Sequence, residues 1–157
     1  MSNFLKYGLS ILLLFFLWGC SSSPEETTKT KEVIVPKKIT YLFVTQPSCP
    51  SCDKLEETME LKEPHKLLSR YFEVKKIYLG EKLPDGLLPE PNGTPTVYFL
   101  GANDEVLVEP MIGEKTEKQM LEFLNDALYE FKNTYHVNLV EQYKKSHENN
   151  NSYAQAH

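Results

Sequence analysis

The chain has 157 residues and a formal net charge of −5, and 41% of its residues are hydrophobic while 25% are charged. This length is enough for one domain with a substantial apolar core, and the composition is typical of a soluble globular fold. No cluster of Lys or Arg stands out, which argues against nucleic acid as a partner.

The first 19 residues are predicted to be a signal peptide outside the fold. Lys6 is their only charged residue, and residues 9–18 are apolar apart from one serine. A membrane span needs about 20 apolar residues, so this shorter run has the length of a signal-peptide core. The sequence LWGC at residues 17–20 resembles the lipobox of bacterial lipoproteins, in which the cysteine is acylated.

That resemblance implies that Cys20 carries lipid, such as palmitate, and anchors the protein to a membrane. The rest of the chain would then lie in the cell envelope and face the periplasm. The alternatives are an uncleaved anchor and a secretory signal with an unrelated cysteine, and both of these export the domain as well.

The segment after the lipobox is predicted to be a flexible tether over residues 20–32, because it is polar and poor in helix formers. The folded domain is predicted over residues 33–135. A short edge strand over residues 31–35, ended by Pro36, is expected at its start. Residues 39–45 are mostly β-branched, aromatic or apolar, which predicts a buried central strand.

A Cys-x-x-Cys pair, Cys49 and Cys52, lies between that strand and a helix predicted from Pro50 to about Glu63, where Pro64 interrupts it. The first cysteine would lie at the helix N-terminus, where unpaired N–H groups and the helix dipole favour a thiolate. The second, one turn further on, can attack a mixed disulfide on the first. This pattern predicts a redox-active pair.

Metal binding is the main alternative use of these thiols. Structural zinc needs four Cys or His ligands, and the sequence has neither a second cysteine pair nor a metal-like spacing of its histidines. A Cu(I) site of two thiolates with a methionine or histidine is conceivable, because soft ligands suit Cu(I). A purely structural disulfide is disfavoured, since so short a loop constrains the unfolded chain little. We therefore expect no metal and no cofactor, with a Cu(I) chaperone as the alternative.

The remaining elements follow from hydrophobic periodicity and turn residues. They are a helical piece over residues 65–71, a strand over 72–79, a loop over 83–93, a strand over 96–100, a hairpin strand over 105–111, and a helix after a capping box at Thr116 and Gln119. Residues 136–157 are predicted to be a polar tail, in which the apolar residues at 137, 139, 140 and 143 extend a helix and the part from Ser146 onward is disordered. This order implies a parallel crossover followed by a hairpin, and therefore an α/β fold with a mixed central sheet and helices on both faces.

A second motif, Thr94-Pro95, comes just before the strand at residues 96–100. Together with Cys49 and Cys52 it resembles the signature pair of thioredoxin-like proteins, which carry a cis-proline beside their Cys-x-x-Cys. Over about residues 39–131 the chain resembles the thiol-disulfide oxidoreductases of that family, in particular exported, lipid-anchored bacterial members.

The resemblance implies a thioredoxin-like fold and a role for each matching residue. Cys49 would be the nucleophile and Cys52 the resolving cysteine. Pro95 would be cis, and Thr94 before it would present backbone groups to an extended substrate strand. The implied activity is a periplasmic disulfide reductase that acts, as a monomer, on exported proteins and receives electrons from a membrane donor of the Dsb or Ccd type. A disulfide oxidase or isomerase is the alternative within the family.

Four positions depart from the pattern of classical thioredoxins. Ser48 replaces the tryptophan before the first cysteine, Pro50-Ser51 replaces Gly-Pro, and Phe43 replaces a buried aspartate that is thought to take a proton from the resolving cysteine. The proton of that cysteine would therefore go to water, to Glu56 or to a substrate group. Lys76, without the aspartate as a partner, is expected to be a solvated charge. These departures leave the direction of electron flow open.

Overall fold

A four-stranded mixed sheet forms the centre of the fold in the computed structural model, which describes residues 34–84 and 90–154, with side chains as far as residue 147. The strands are β1 Ile39–Thr45, β2 Phe72–Tyr78, β3 Thr96–Leu100 and β4 Met111–Ile112. Their order across the sheet is β2-β1-β3-β4. β1 is parallel to β2 and antiparallel to β3, and β4 is antiparallel to β3. The prediction of an α/β fold with a mixed sheet is confirmed.

Four α-helices accompany the sheet in the described residues: α1 Pro50–Met59, α2 Lys62–Tyr71, α3 Glu117–Tyr135 and α4 Leu139–Ala154. All four contribute side chains to one apolar cluster, which also holds Phe43 of β1 and Phe99 of β3. The other face of the sheet buries a smaller cluster around Leu42 and Tyr98. Its partly buried neighbours come from β2 and from the connections that follow β2 and β3.

The prediction of helices on both faces is therefore wrong for the described part of the chain. The parallel crossover places both α1 and α2 on the same side of the sheet, and α3 and α4 pack there with them. On the opposite face, Leu83 and Val106 come from connections that are not helical. The alternation of side chains along β1 determines which residues face each side of the sheet, but it does not determine which elements cover each side.

The two helical pieces predicted on either side of Pro64 correspond to α1 and α2. The break lies at Glu60 and Leu61, ahead of Pro64, and not at the proline as expected. Pro64 occupies the first turn of α2, where backbone N–H groups have no intrahelical acceptor in any case. The missing N–H of the proline therefore costs this helix no hydrogen bond.

The predicted hairpin strand over residues 105–111 is shorter than expected. Ala102–Asp104 forms a 3-10 turn, Val106 makes a single bridge to Leu100, and the regular ladder is limited to Met111–Ile112. Pro110, just before this ladder, has no N–H to donate to a neighbouring strand. The capping box is confirmed, since Thr116 and Gln119 exchange both of its hydrogen bonds.

Several predictions at the N-terminus lie outside the described residues. These are the signal peptide, the lipid on Cys20 and the tether over residues 20–32. Of the predicted edge strand, residues 34 and 35 are described and form no strand. Among the described helices, none combines the length and the apolar character that crossing a membrane requires.

The helix expected near residues 137–143 is α4, and it continues through residues 146–154, where disorder was predicted. Leu139 is buried, and the ring of Tyr143 meets the ring of Tyr71 edge-on at 5.6 Å between centroids. The guanidinium of Arg70 lies 5.1 Å from the centroid of the Tyr143 ring. A few apolar side chains at helical spacing are therefore enough to attach this polar segment to α2, and the core extends beyond the predicted boundary at residue 135.

The end of α3 is tied to the turn after β3 by Tyr135. Its hydroxyl accepts a hydrogen bond from the Ala102 N–H at 2.7 Å and donates one to the carboxylate of Glu105. A Cβ atom at Gly101 would overlap this hydroxyl, so glycine permits the close approach. Burial, with help from the Glu105 hydrogen bond, raises the pKa of Tyr135 to about 12.

A Tyr135→Phe variant is expected to lose about 1–2 kcal/mol of unfolding free energy at neutral pH, because two hydrogen bonds are removed. The folded state raises this pKa from its ordinary value near 10, so the protonated phenol stabilises the fold fully below about pH 10. That contribution is lost as pH rises through about 12. Urea unfolding should therefore show the difference from wild type shrinking over this range.

The matched control is Tyr129→Phe on the same helix, whose side chain is 63% exposed. It should change stability by less than about 0.5 kcal/mol at any pH. A Tyr135→Phe difference that stays constant up to the highest pH would contradict the assignment.

Candidate active site

Cys49 and Cys52 are joined by a disulfide, with their Cα atoms 5.2 Å apart. Cys49 is the N-cap of α1, and its Sγ accepts a hydrogen bond from the Cys52 N–H at 3.2 Å. Its carbonyl oxygen accepts from the N–H groups of Cys52 and Asp53. Pro50 begins the helix, where its fixed φ is favourable. The predicted position of the first cysteine, at a helix N-terminus, is confirmed.

Thr94 and Pro95 lie beside this disulfide, although they are more than 40 residues away in the sequence. The Thr94–Pro95 peptide bond is cis, as predicted. The hydroxyl of Thr94 lies 3.4 Å from Cys49 Sγ, and it is the donor because a disulfide sulfur carries no proton. Pro95 accepts a hydrogen bond through its carbonyl from the Gly113 N–H at 2.8 Å. The structure thus brings together four of the predicted site residues, while Cys20 lies outside the described part.

The sequence did not predict a group of polar contacts beside the site, which involves Lys54, Thr58, Glu114 and Lys115. The Lys115 ammonium donates hydrogen bonds to backbone carbonyls of residues 112–114, and burial lowers its pKa. Lys54 Nζ lies 3.1 Å from Glu114 Oε2, and the hydroxyl of Thr58 donates to the Lys115 carbonyl at 2.9 Å. These contacts join α1 to the turn after β4 and hold that turn against the cis-proline.

Lys76 is exposed, in agreement with the prediction of a solvated charge, but it also forms an ion pair that was not predicted. Its Nζ lies 2.6 Å from Glu56 Oε1 and 5.6 Å from the centroid of the Phe43 ring. Lys76 pairs directly with Phe43 across β2 and β1, so both side chains lie on the helical face of the sheet. The hydrogen bond to Glu56 raises the pKa of Lys76. The carboxylate partner of Lys76 comes from α1, whereas the aspartate of classical thioredoxins would lie on β1, at the position of Phe43.

Comparisons with known proteins do not assign the chain to a family. No family model matches it. No curated protein matches it either. In the part of the chain that the structure describes, no group of three or more His, Cys, Asp or Glu side chains is arranged to hold a metal ion. The chemistry of the site is therefore argued from its own residues.

After reduction of the disulfide, three features would stabilise the thiolate of Cys49. These are the Cys52 N–H at the start of α1, the positive end of the helix dipole, and the hydroxyl of Thr94. Cys49 as a whole is 6% exposed, so a disulfide must approach closely to react with its sulfur. Cys52 is more deeply buried, so its sulfur is less accessible than that of Cys49.

A Thr94→Val variant keeps the side-chain shape and removes the hydroxyl beside Cys49 Sγ. The pKa of the reduced Cys49 thiol should rise by up to about one unit, because the thiolate loses a hydrogen-bond donor. The ultraviolet absorbance of the thiolate, followed against pH, measures this change. Thr40→Val serves as the control, because Thr40 lies on β1 at a position that faces away from the disulfide. Equal titration curves for the two variants would show that the hydroxyl has no such role.

Proposed function

We propose that this protein is a thiol-disulfide oxidoreductase with a thioredoxin-like fold. The observation that carries the proposal is the Cys49–Cys52 disulfide at the start of α1, with the Thr94 hydroxyl 3.4 Å from Cys49 Sγ. Two segments of the chain, more than 40 residues apart in sequence, therefore meet at one sulfur.

The sheet topology is compatible with this fold. A parallel crossover joins β1 to β2 through helices, and an antiparallel pair, β3 and β4, precedes α3. The disulfide follows β1 and the cis-proline precedes β3, which are neighbours in the sheet. The arrangement supports the fold that the sequence motifs suggest.

The proposed reaction begins with both cysteines reduced. The Cys49 thiolate attacks one sulfur of a substrate disulfide, and the other substrate sulfur leaves as a thiolate and takes up a proton. Cys52, after losing its proton, attacks Cys49 Sγ and expels the second substrate sulfur. Two electrons pass from the protein to the substrate, and the Cys49–Cys52 disulfide forms.

We place this activity in the cell envelope, as a disulfide reductase for exported proteins. The support is in the sequence, where a signal-like apolar run ends in a lipobox-like LWGC with Cys20 as the lipid-bearing residue. An oxidising compartment returns the pair to the disulfide, so a membrane electron donor of the Dsb or Ccd type would have to re-reduce it. A monomer suffices for this chemistry, because both cysteines belong to one chain.

The first test is the reduction potential of the Cys49–Cys52 couple, equilibrated with glutathione at neutral pH. A value below about −220 mV would support a reductase, since thioredoxin lies near −270 mV. A value above about −160 mV would indicate an oxidase or isomerase instead. Tight stoichiometric binding of Cu(I) without any thiol exchange would overturn the proposal in favour of a copper chaperone.

A further inference from the structure

The resolving step of the proposed reaction requires Cys52 to lose a proton. Its side chain is 2% exposed and lies in the apolar cluster with Phe43 and Leu55. A buried thiol is harder to ionise than one in water, because burial disfavours the charged form. A base held near this sulfur would therefore accelerate its attack on the mixed disulfide.

Glu56 is an ionisable residue on the same face of α1 as Cys52. It follows Cys52 by four residues within the helix, and residues at that spacing have Cβ atoms about 5–6 Å apart on one face. Lys76 Nζ, at 2.6 Å from the carboxylate, holds it beside the ring of Phe43. That ring packs in the same cluster as Cys52. The carboxylate is partly exposed and lies at the edge of the apolar cluster that contains Cys52.

The other ionisable groups near Glu56 and Lys76 are less suitable as proton acceptors for Cys52. Asp53 and Tyr78 both act on Lys76 electrostatically. Asp53 directly follows Cys52, so it projects about 100° away around the helix, and its side chain is exposed. Tyr78 is 49% exposed at the end of β2. The geometry points to Glu56 as the proton acceptor for Cys52, an inference that rests on the proposed function.

With the mixed disulfide between Cys49 and substrate in place, the S–H bond of Cys52 breaks and its proton passes to the Glu56 carboxylate. The sulfur electron pair forms the bond to Cys49 Sγ, and the bond from Cys49 to the substrate breaks with its pair on the substrate sulfur. That thiolate takes a proton from water. The Glu56 side chain is 42% exposed, so it returns its own proton to solvent. Lys76 is a positioning residue.

The test separates the two chemical steps in the full-length protein. Reduced protein is mixed with glutathione disulfide, quenched with acid at intervals, and analysed for mixed and intramolecular disulfide by mass spectrometry. Glu56→Gln is expected to slow conversion of the mixed disulfide by about 100-fold, while its formation at Cys49 stays within about twofold of wild type. Lys76→Met should slow the same conversion by a smaller factor.

The matched control is Glu57→Gln, which makes the same change at the next residue, where the side chain is exposed. It should convert the mixed disulfide at the wild-type rate. A second measurement varies imidazole concentration at constant pH. External base should speed conversion in Glu56→Gln and not in wild type, and a purely structural role for Glu56 would give no such dependence.

Equal conversion rates in Glu56→Gln and Glu57→Gln would overturn the role of Glu56 and leave the proposed function intact. A wild-type protein that forms no mixed disulfide at Cys49 would overturn the proposed function and the inference with it. Slowed conversion in Glu56→Gln without rescue by imidazole would also reject Glu56 as the proton acceptor.

Discussion

A Cys49→Ser variant is expected to lose disulfide reductase activity by more than about 1,000-fold, because a serine hydroxyl does not ionise near neutral pH and forms no disulfide. The sulfur at this position is the one that α1 and Thr94 support. The measurement is the rate of insulin disulfide reduction with dithiothreitol as the electron source, compared with the same reaction lacking protein.

The Cys52→Ser variant provides the matched comparison. It retains the attacking sulfur and lacks the resolving one, so it should accumulate a mixed disulfide with substrate while turnover stops. Cys49→Ser should form no such species. A Cys49→Ser protein that reduces insulin as fast as wild type would reject the assignment of the nucleophile, and with it the proposed reaction.

A Phe99→Ala variant is expected to lose about 3–5 kcal/mol of unfolding free energy. Phe99 is fully buried in β3 and contacts three aromatic rings. The Tyr41 ring meets it edge-on with centroids 5.5 Å apart, and the rings of Phe72 and Phe123 lie 6.2 Å away. Truncation removes all three contacts and leaves a cavity between the sheet and α3, which neighbouring side chains fill only in part.

Urea unfolding measures this loss, with Tyr129→Ala as the control. Tyr129 is 63% exposed on α3, so its removal should change stability by less than about 1 kcal/mol. A Phe99→Ala loss smaller than that of the control would mean that this part of the core repacks freely.

The predictions that succeeded rest on local patterns. The apolar run at Ile39–Thr45 gave a buried strand, and the capping box at Thr116 gave the start of a helix, because each is decided by residues close in sequence. The position of Cys49 at a helix N-terminus followed from Pro50 in the same way. The cis bond at Pro95 was expected only through resemblance to a family.

The predictions that failed depended on register and packing. Lys76 meets Glu56 because β2 is aligned with β1 in one register and α1 crosses that position, which a linear pattern does not specify. The residues from Ser146 onward were predicted to be disordered because they are polar, yet α4 continues through Ala154, and the ring of Tyr143 in this helix packs against Tyr71 of α2. The face on which each helix packs was likewise undetermined, since burial on both sides of β1 does not say which element covers each side.

The position of α4 indicates which end of the molecule unfolds locally first. Its contacts to α2 lie near Phe72, opposite Ile39 at the beginning of β1, whereas the disulfide follows the far end of that strand. A strand of this length separates the two by about 20 Å. Local unfolding of the C-terminal helix therefore exposes the end of the core near Phe72, while the end that carries the disulfide keeps its hydrogen bonds. Slow-exchanging amides should mark the disulfide end, and early proteolytic cuts should fall at the other.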